Sequence, residues 1–136
     1  QTADLELVVN GSGSLQVAKA QSDNVELIVR GSGSIDLGTV TAQTVEATIN
    51  GSGDVAVAEE GKAERVAINV MGSGDIDLGG IRAKEADVNI VGSGDAVVWA
   101  DEDLEASIMG SGDVKYRSDP EVRTNILGSG NVERDD

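Results

Sequence analysis

The tripeptide Gly-Ser-Gly recurs seven times at nearly even intervals, and this repeat constrains the fold more than any other feature. Successive copies start 20, 20, 21, 20, 18 and 18 residues apart, at Gly11, Gly31, Gly51, Gly72, Gly92, Gly110 and Gly128. A period near twenty residues is typical of proteins in which one short structural unit stacks on the next. The repeat therefore predicts a single repeat domain over residues 1–136.

A strict alternation of apolar and polar residues precedes each copy of the tripeptide. Before the second copy, for example, the apolar positions are Val25, Leu27 and Val29. A period of two predicts a strand with one buried face. A shorter apolar pair, such as Ile35 and Leu37, follows each copy and predicts a second strand facing the same core. The few small apolar residues left in each repeat can close a third, short side.

These patterns predict an all-β protein, a right-handed single-stranded parallel β-helix (β-solenoid) of about seven rungs with Gly-Ser-Gly at one corner of each rung. A single rung cannot bury its own apolar face, but rungs stacked about 4.8 Å apart form continuous sheets and apolar columns. Val29, Ile49 and Val70 should then lie on adjacent parallel strands. A meander of hairpins with Gly-Ser-Gly turns is the alternative. It is disfavoured because matching apolar sets flank every turn, as a column of identical corners requires.

The charge balance narrows the range of partners. Ten Lys and Arg residues stand against twenty-five Asp and Glu residues, which gives a formal net charge of −15. This charge repels nucleic acid and anionic lipid, so we expect no nucleic-acid partner. No segment has the length of a transmembrane helix, so we expect no membrane insertion. Because the chain has no His and no Cys, no base stands beside a nucleophile, and we expect neither catalysis nor an organic cofactor.

Acidic residues follow four of the Gly-Ser-Gly copies at one offset and should stack from rung to rung. They are Asp54, Asp75, Asp95 and Asp113, and Ser14, Ser34 and Asn131 complete the column. Carboxylates about 5 Å apart repel by roughly 1 kcal/mol per pair in water, so something must offset the repulsion. Either each Asp accepts hydrogen bonds from the backbone of its own turn, or Ca²⁺ bridges the carboxylates as a metal ladder.

An outward column immediately before the corners changes from polar to apolar along the chain. It reads Asn10, Arg30, Asn50, Met71, Val91, Met109 and Leu127. The last four side chains either tuck inward or form an exposed stripe for a protein, a cell-surface partner or a second copy. Trp99 is interpreted either as a lid over one end of the solenoid or as an exposed contact.

The first rung offers an open strand edge that could contact a second copy. Leu5, Leu7 and Val9 already carry the full inner pattern there, with only four residues ahead of Leu5. An uncovered edge of this kind is a template for strand addition. Such a contact would be head to tail, and it propagates as a filament unless it closes into a ring.

Several segments resemble the bacterial head-GIN domain family, a class named as autotransporter adhesins. They are Gly-Ser-Gly-Asp-Ile-Asp-Leu at 72–78, Gly-Ser-Gly-Asp-Ala-Val-Val-Trp-Ala at 92–100 and Gly-Ser-Gly-Asn-Val at 128–132. The resemblance implies a right-handed β-helix in exported or envelope-anchored proteins, and it supplies no catalytic residues. The family's domains usually begin with extra strands that this sequence lacks.

We therefore expect a non-catalytic structural or adhesive module that presents a rigid acidic surface. The resemblance places it outside the cytoplasm, as a secreted, cell-surface or periplasmic protein of the bacterial envelope. Two alternatives stay open at this point: a self-assembling head-to-tail filament subunit, and a β-helix that binds or cleaves polysaccharide.

Overall fold

The structure, a computed structural model, describes residues 4–57 and 60–134, and these residues form thirteen β-strands of one sheet without any helix. The strands are β1 (Asp4–Gly11), β2 (Ser14–Gln21), β3 (Asn24–Gly31), β4 (Ser34–Thr41), β5 (Thr44–Gly51), β6 (Asp54–Val57), β7 (Gly61–Lys62), β8 (Arg65–Gly72), β9 (Asp75–Gly92), β10 (Asp95–Gly110), β11 (Asp113–Arg117), β12 (Glu121–Gly128) and β13 (Asn131–Arg134). Within the same ranges, no helix is long and apolar enough to cross a membrane.

The strands pair in parallel with the equivalent strands of the neighbouring repeats. Val29 lies opposite Ile49, and Ile49 lies opposite Val70, as the repeat predicts. A meander would pair neighbouring strands antiparallel, so that alternative is wrong and the parallel β-solenoid is confirmed. Seven corners delimit about six turns, so the predicted count of about seven rungs is one too many. Right-handed winding stays a prediction.

The inner columns form one continuous apolar core. The largest side chains with less than 2% of their surface exposed are Leu27, Ile35, Leu37, Ile49, Ile68, Ile76, Leu78, Ile81, Ile90, Leu104, Ile108 and Val25. Burying each such side chain stabilises the fold by about 1.5–3 kcal/mol. No polar or charged side chain of the described residues is buried. In residues 4–57 and 60–134, the core therefore offers no buried acid, base or metal ligand.

The corners need glycine because the backbone bends sharply while corners of successive turns touch. The first glycine of each copy has a positive φ, from 89° at Gly11 to 132° at Gly110. A Cβ on Gly31 would lie 2.7 Å from the carbonyl oxygen of Gly11. The backbone N–H of Ser52 donates to the carbonyl of Gly31 at 3.0 Å, and the other corner serines from Ser32 to Ser129 repeat this bond. The hydrogen-bonded ladder thus continues around the corner.

Candidate binding surface

The strands that lead into the corners make one face of the solenoid, which we call the first face. Its outward columns near the strand starts are charged. One of them, here named the charged column, is held in register by the parallel pairing. It consists of Glu6, Glu26, Glu46, Ala67, Asp87, Glu105 and Arg123. This half of the face is a solvated acidic surface.

The other half of the first face, together with the corner, is almost free of charge, and we call it the ribbon. Its three columns are Val8, Ile28, Thr48, Asn69, Asn89, Ser107, Asn125; then Asn10, Arg30, Asn50, Met71, Val91, Met109, Leu127; then Ser12, Ser32, Ser52, Ser73, Ser93, Ser111, Ser129. Arg30 is the one charged residue of these 21 positions, whereas 26% of the whole chain is charged. The ribbon is therefore distinct in composition from the acidic surface beside it.

The ribbon also holds the exposed apolar side chains. Met71, Val91, Met109 and Leu127 are 48%, 45%, 49% and 63% exposed, so the interpretation that they tuck inward is wrong. Val8, at 42%, is the remaining large apolar side chain that the described residues expose, and it lies in the adjacent column. A cluster of exposed apolar side chains on a protein surface commonly marks a contact site.

The two strand columns of the ribbon are held in register because every position in them belongs to the parallel ladder. Met71 lies opposite Val91, Met109 opposite Val91, and Leu127 opposite Met109. At about 4.8 Å per step, the four side chains form a row on the order of 14 Å long. This row is the predicted partner contact, and the structure leaves it accessible.

The corner carboxylates stack as predicted, but they accept hydrogen bonds from the next turn and not from their own. Oδ1 of Asp54 accepts from the backbone N–H of Asp75 at 3.3 Å, and Asp75, Asp95 and Asp113 repeat the contact at 3.1 Å, the last with Asn131. The interpretation of an own-turn bond is wrong because each carboxylate points along the stack toward the backbone of the next turn. These N–H donors offset the repulsion between carboxylates.

The structure gives the calcium interpretation no ligand cluster. Among the residues that the structure describes, no group of three or more His, Cys, Asp and Glu side chains is arranged to hold a metal ion. A shallow groove of about 360 Å³ runs beside the ladder and is lined by Asp54, Asp75, Asp77, Asp95, Asp113, Lys115 and the apolar residues between them. Calcium binding at this ladder stays a prediction.

The charged column brings glutamates close enough to interact. Glu6 lies opposite Glu26 and Glu26 opposite Glu46. A side-chain hydrogen bond with Glu6 raises the pKa of Glu26 above its ordinary value, with smaller contributions from desolvation and from the negative charges of Glu6 and Glu46. The proton that this bond requires is held more tightly in the folded chain than in the unfolded one.

Asp101 is the centre of a polar cluster on another side of the solenoid. It accepts from Nε of Arg82 at 2.8 Å, from Nε1 of Trp99 at 3.1 Å and from Oγ of Ser118 at 2.8 Å. These bonds, that of Arg82 foremost, hold the pKa of Asp101 below its ordinary value against the opposing effect of burial. The guanidinium carbon of Arg82 lies 5.6 Å from the centroid of the Trp99 ring. Trp99 pairs with strands on both sides and is half-buried, so the lid interpretation is wrong.

The three side chains predicted to contact a second copy at the first rung differ in exposure. Leu5 and Leu7 are half-buried and packed on the core, whereas Val9 is buried at 7% exposed. Their strand, β1, pairs with β3 alone among the described strands. Leu5 and Leu7 thus keep some accessible surface, and contact with a second copy there stays a prediction.

The family of this chain is identified by a family model that matches most of its length. A family model described as "Putative auto-transporter adhesin, head GIN domain" matches residues 4–120. The chain belongs to this family. The resemblance drawn from the Gly-Ser-Gly segments is therefore confirmed.

Solved structures with the same fold are named as adhesins or as lipid-binding. A "putative lipid binding protein" from Parabacteroides distasonis is 32% identical with a TM-score of 0.88, and the match covers 96% of this chain and 53% of that one. A "putative adhesin" from the same species is 25% identical (TM-score 0.82, 97% and 63%), and a "putative adhesin" from Bacteroides fragilis is 26% identical (TM-score 0.83, 96% and 60%). This head GIN domain therefore spans 53–63% of the length of these relatives. No curated protein matches the chain.

Proposed function

We propose that the chain is a non-catalytic adhesive module of the bacterial cell surface or envelope, and that it contacts its partner through the ribbon. One observation carries the proposal: all five large apolar side chains exposed by the described residues lie on the ribbon. The family description and the names of the similar structures point in the same direction.

Electrostatics favours the ribbon as the surface of approach. With a net charge of −15, most of the solenoid is repelled by other acidic surfaces and holds a tight hydration layer. The ribbon has a single charge to desolvate, and the neutral Ser and Asn side chains of the ribbon can hydrogen-bond to a partner while Met71, Val91, Met109 and Leu127 gain apolar contact.

The size of the stripe predicts a weak individual contact. A stable protein–protein interface buries about 800 Å² on each partner, and a single row of four half-exposed side chains is much smaller. Adhesion through such a row gains strength when many copies act together on one surface. We therefore propose a multivalent contact with a protein displayed on a cell or matrix surface.

The name of one similar structure raises lipid as another ligand of the ribbon. Small apolar ligands are normally held in concave pockets that cover most of their surface. The stripe is a row on a flat face, and its members keep 45–63% of their surface exposed without enclosing a cavity. A protein surface suits this geometry better than a single acyl chain does.

Adhesion of beads that carry the chain tests the proposal. Beads would be settled on immobilised fibronectin, collagen and mucin, and the fraction retained under flow would be measured. The ribbon variant combines Val91→Asn with Met109→Asn, because the same column already uses Asn10 and Asn50. The control variant combines Asp87→Asn with Glu105→Gln in the charged column of the same face.

The proposal expects a retaining surface on which the ribbon variant loses most of its retention while the control variant keeps it. If the ribbon variant is retained as well as the parent, the contact lies elsewhere on the solenoid. Failure of all three surfaces to retain the parent beads would overturn the adhesive role, provided that both variants and the parent melt alike.

Head-to-tail assembly is a second candidate, favoured by the charges at the two ends of the charged column. Among the described strands, the column runs from Glu6 in β1 to the cation Arg123 in β12. A second copy stacked in register would set its Glu6 beside Arg123. Light scattering at rising concentration should then show growth that Arg123→Glu suppresses, and a strict monomer at high concentration would eliminate this candidate.

A further inference from the structure

We propose that the Asp101 cluster forms a second binding site, which takes the carboxylate or sulfate of an acidic glycan. The site does not depend on the ribbon, so either proposal can fail alone. At its centre is a column of paired residues away from the Gly-Ser-Gly corners. Lys62 lies opposite Arg82, Arg82 opposite Trp99, and Trp99 opposite Arg117. We call these four residues the cation column.

The cation column concentrates positive charge in a chain that has little of it. Three of the ten Lys and Arg residues stack here in four successive turns, and the chain's one Trp stands among them. Like charges about 5 Å apart repel, so this arrangement costs stability unless each cation is held in place. A folding requirement alone does not explain it, because the equivalent positions of earlier turns are Gln21 and Thr41.

Asp101 holds Arg82 by one edge and leaves the other free. The carboxylate accepts from Nε of Arg82 at 2.8 Å, and the Arg82 side chain is 62% exposed. Within residues 4–57 and 60–134, no residue accepts a hydrogen bond from the two terminal nitrogens of Arg82. A guanidinium presents paired N–H groups that match the two oxygens of a carboxylate or sulfate. Arg82 is thus pre-oriented to grip an oxyanion.

Ser118, which contacts Asp101, has a strained backbone conformation. Ser118 has a φ of 80°, the only positive value for a residue other than glycine among those described. Its hydroxyl donates to Asp101 at 2.8 Å. Backbone strain of this kind costs on the order of 1 kcal/mol and is concentrated at functional sites. Ser118 therefore helps to fix the carboxylate that orients Arg82.

The neighbours select a glycan over a free inorganic anion. The Trp99 ring is half-buried, and the guanidinium of Arg82 lies over it at 5.6 Å from its centroid, so the exposed part of the ring adds apolar surface beside the cation. Lys62 is exposed one turn below, and no carboxylate of a described residue pairs with it. Glu64 and Glu102 are exposed nearby along the chain, so a ligand with widely spaced charges fits better than a dense polyanion such as nucleic acid.

Titration with a hyaluronan hexasaccharide, in which uronate alternates with a neutral sugar, tests this site. Calorimetry would measure affinity, and the fluorescence of Trp99, the one Trp of the chain, would report binding at the site itself. Arg82→Gln removes the free fork, whereas Arg65→Gln is the matched control because Arg65 is also exposed and paired to a carboxylate, at 3.2 Å from Glu85. Lys62→Gln is a milder variant one turn away in the same column.

We expect the parent and Arg65→Gln to bind alike, Arg82→Gln to bind at least tenfold more weakly, and Lys62→Gln to lose a smaller factor. Neutral chitohexaose should bind at least tenfold more weakly than the hyaluronan probe, and so should sodium sulfate. Sulfate binding as tight as the glycan would reduce the site to a small-anion site and overturn the glycan assignment. Undiminished hyaluronan affinity in Arg82→Gln, or no binding by the parent, would overturn the proposal.

Discussion

Ile68 and Met71 lie three residues apart on β8, yet they belong to two different regions of the molecule. Ile68 is 1% exposed within an inner column, whereas Met71 is 48% exposed on the ribbon. Both columns are ladders of equivalent positions, but burial restricts the inner column to apolar side chains. Nothing in the packing restricts the ribbon in that way, so its lack of charge needs another cause. The inner columns are constrained by the fold, and the proposed contact role would account for the composition of the ribbon.

The largest expected effect separates these two regions within a single strand. Ile68→Asp would place a carboxylate among apolar side chains without a partner, which costs several kcal/mol and is comparable to the whole stability of a small domain. Met71→Asp places the same group in water. We expect thermal melting to show the first variant unfolded at room temperature and the second within a few degrees of the parent. Similar melting of both variants would mean that the inner columns are not the core.

The corner, where the ribbon meets the inner columns, gives a matched test of stacking. A Cβ on Gly33 would overlap the Gly13 carbonyl oxygen and the side chain of Val9, whereas a Cβ on Gly13 would meet nothing within 4 Å. Crowding of this kind costs about 1–3 kcal/mol. Denaturant unfolding should show this loss for Gly33→Ala and almost no loss for Gly13→Ala. Equal effects would contradict the close approach of successive corners.

The fold could be predicted from the sequence because residues at equivalent positions of successive repeats pair with each other in the parallel sheet. A 20-residue spacing places Val29 opposite Ile49 whatever the outward residues are, and the paired strands confirm it. The exposure of Met71, Val91, Met109 and Leu127 was one of two open interpretations. Sequence alone could not decide between them, because a side chain beside a corner can point to either face.

The Asp101 cluster could not be predicted because the regular spacing fails where it forms. Trp99 pairs with Arg82, and the ladder between β9 and β10 carries register shifts on both sides of that pair. Counting back by the 20-residue spacing of the corners Gly72 and Gly92 leads from Trp99 to Gly79 and misses Arg82. The bond partners of the corner aspartates were also missed, since only coordinates show that each side chain points toward the next turn.

The charged column should respond to pH in a way that the ribbon, which has no acidic residue, cannot. Because the pKa of Glu26 is raised in the folded chain, its stabilising effect is present below its ordinary value of 4.5 and is lost as the pH rises through the folded-state value. Glu26→Gln should therefore raise the melting temperature at neutral pH by about 1–2 °C. The gain should vanish in acid, and a gain that grows below pH 4.5 would contradict the assigned direction.

The corner ladder should show the smallest effect. If Ca²⁺ bound the ladder in the folded state alone, it would add stability by mass action, and a chelator would remove it. Because the carboxylates already accept backbone N–H groups, we expect identical melting with chelator and with millimolar calcium. A calcium-dependent rise that Asp75→Asn abolishes would instead establish the metal ladder.

Methionine oxidation tests the contact role of the ribbon most directly. The chain has two methionines, Met71 and Met109, and both lie on the exposed stripe at 48% and 49% exposure. Peroxide converts accessible methionine to the sulfoxide, which mass spectrometry quantifies at each site. The chain would be treated free and while bound to the surface that retains it. The account predicts that binding slows oxidation of both methionines several-fold, and equal rates in the bound and free chain would contradict it.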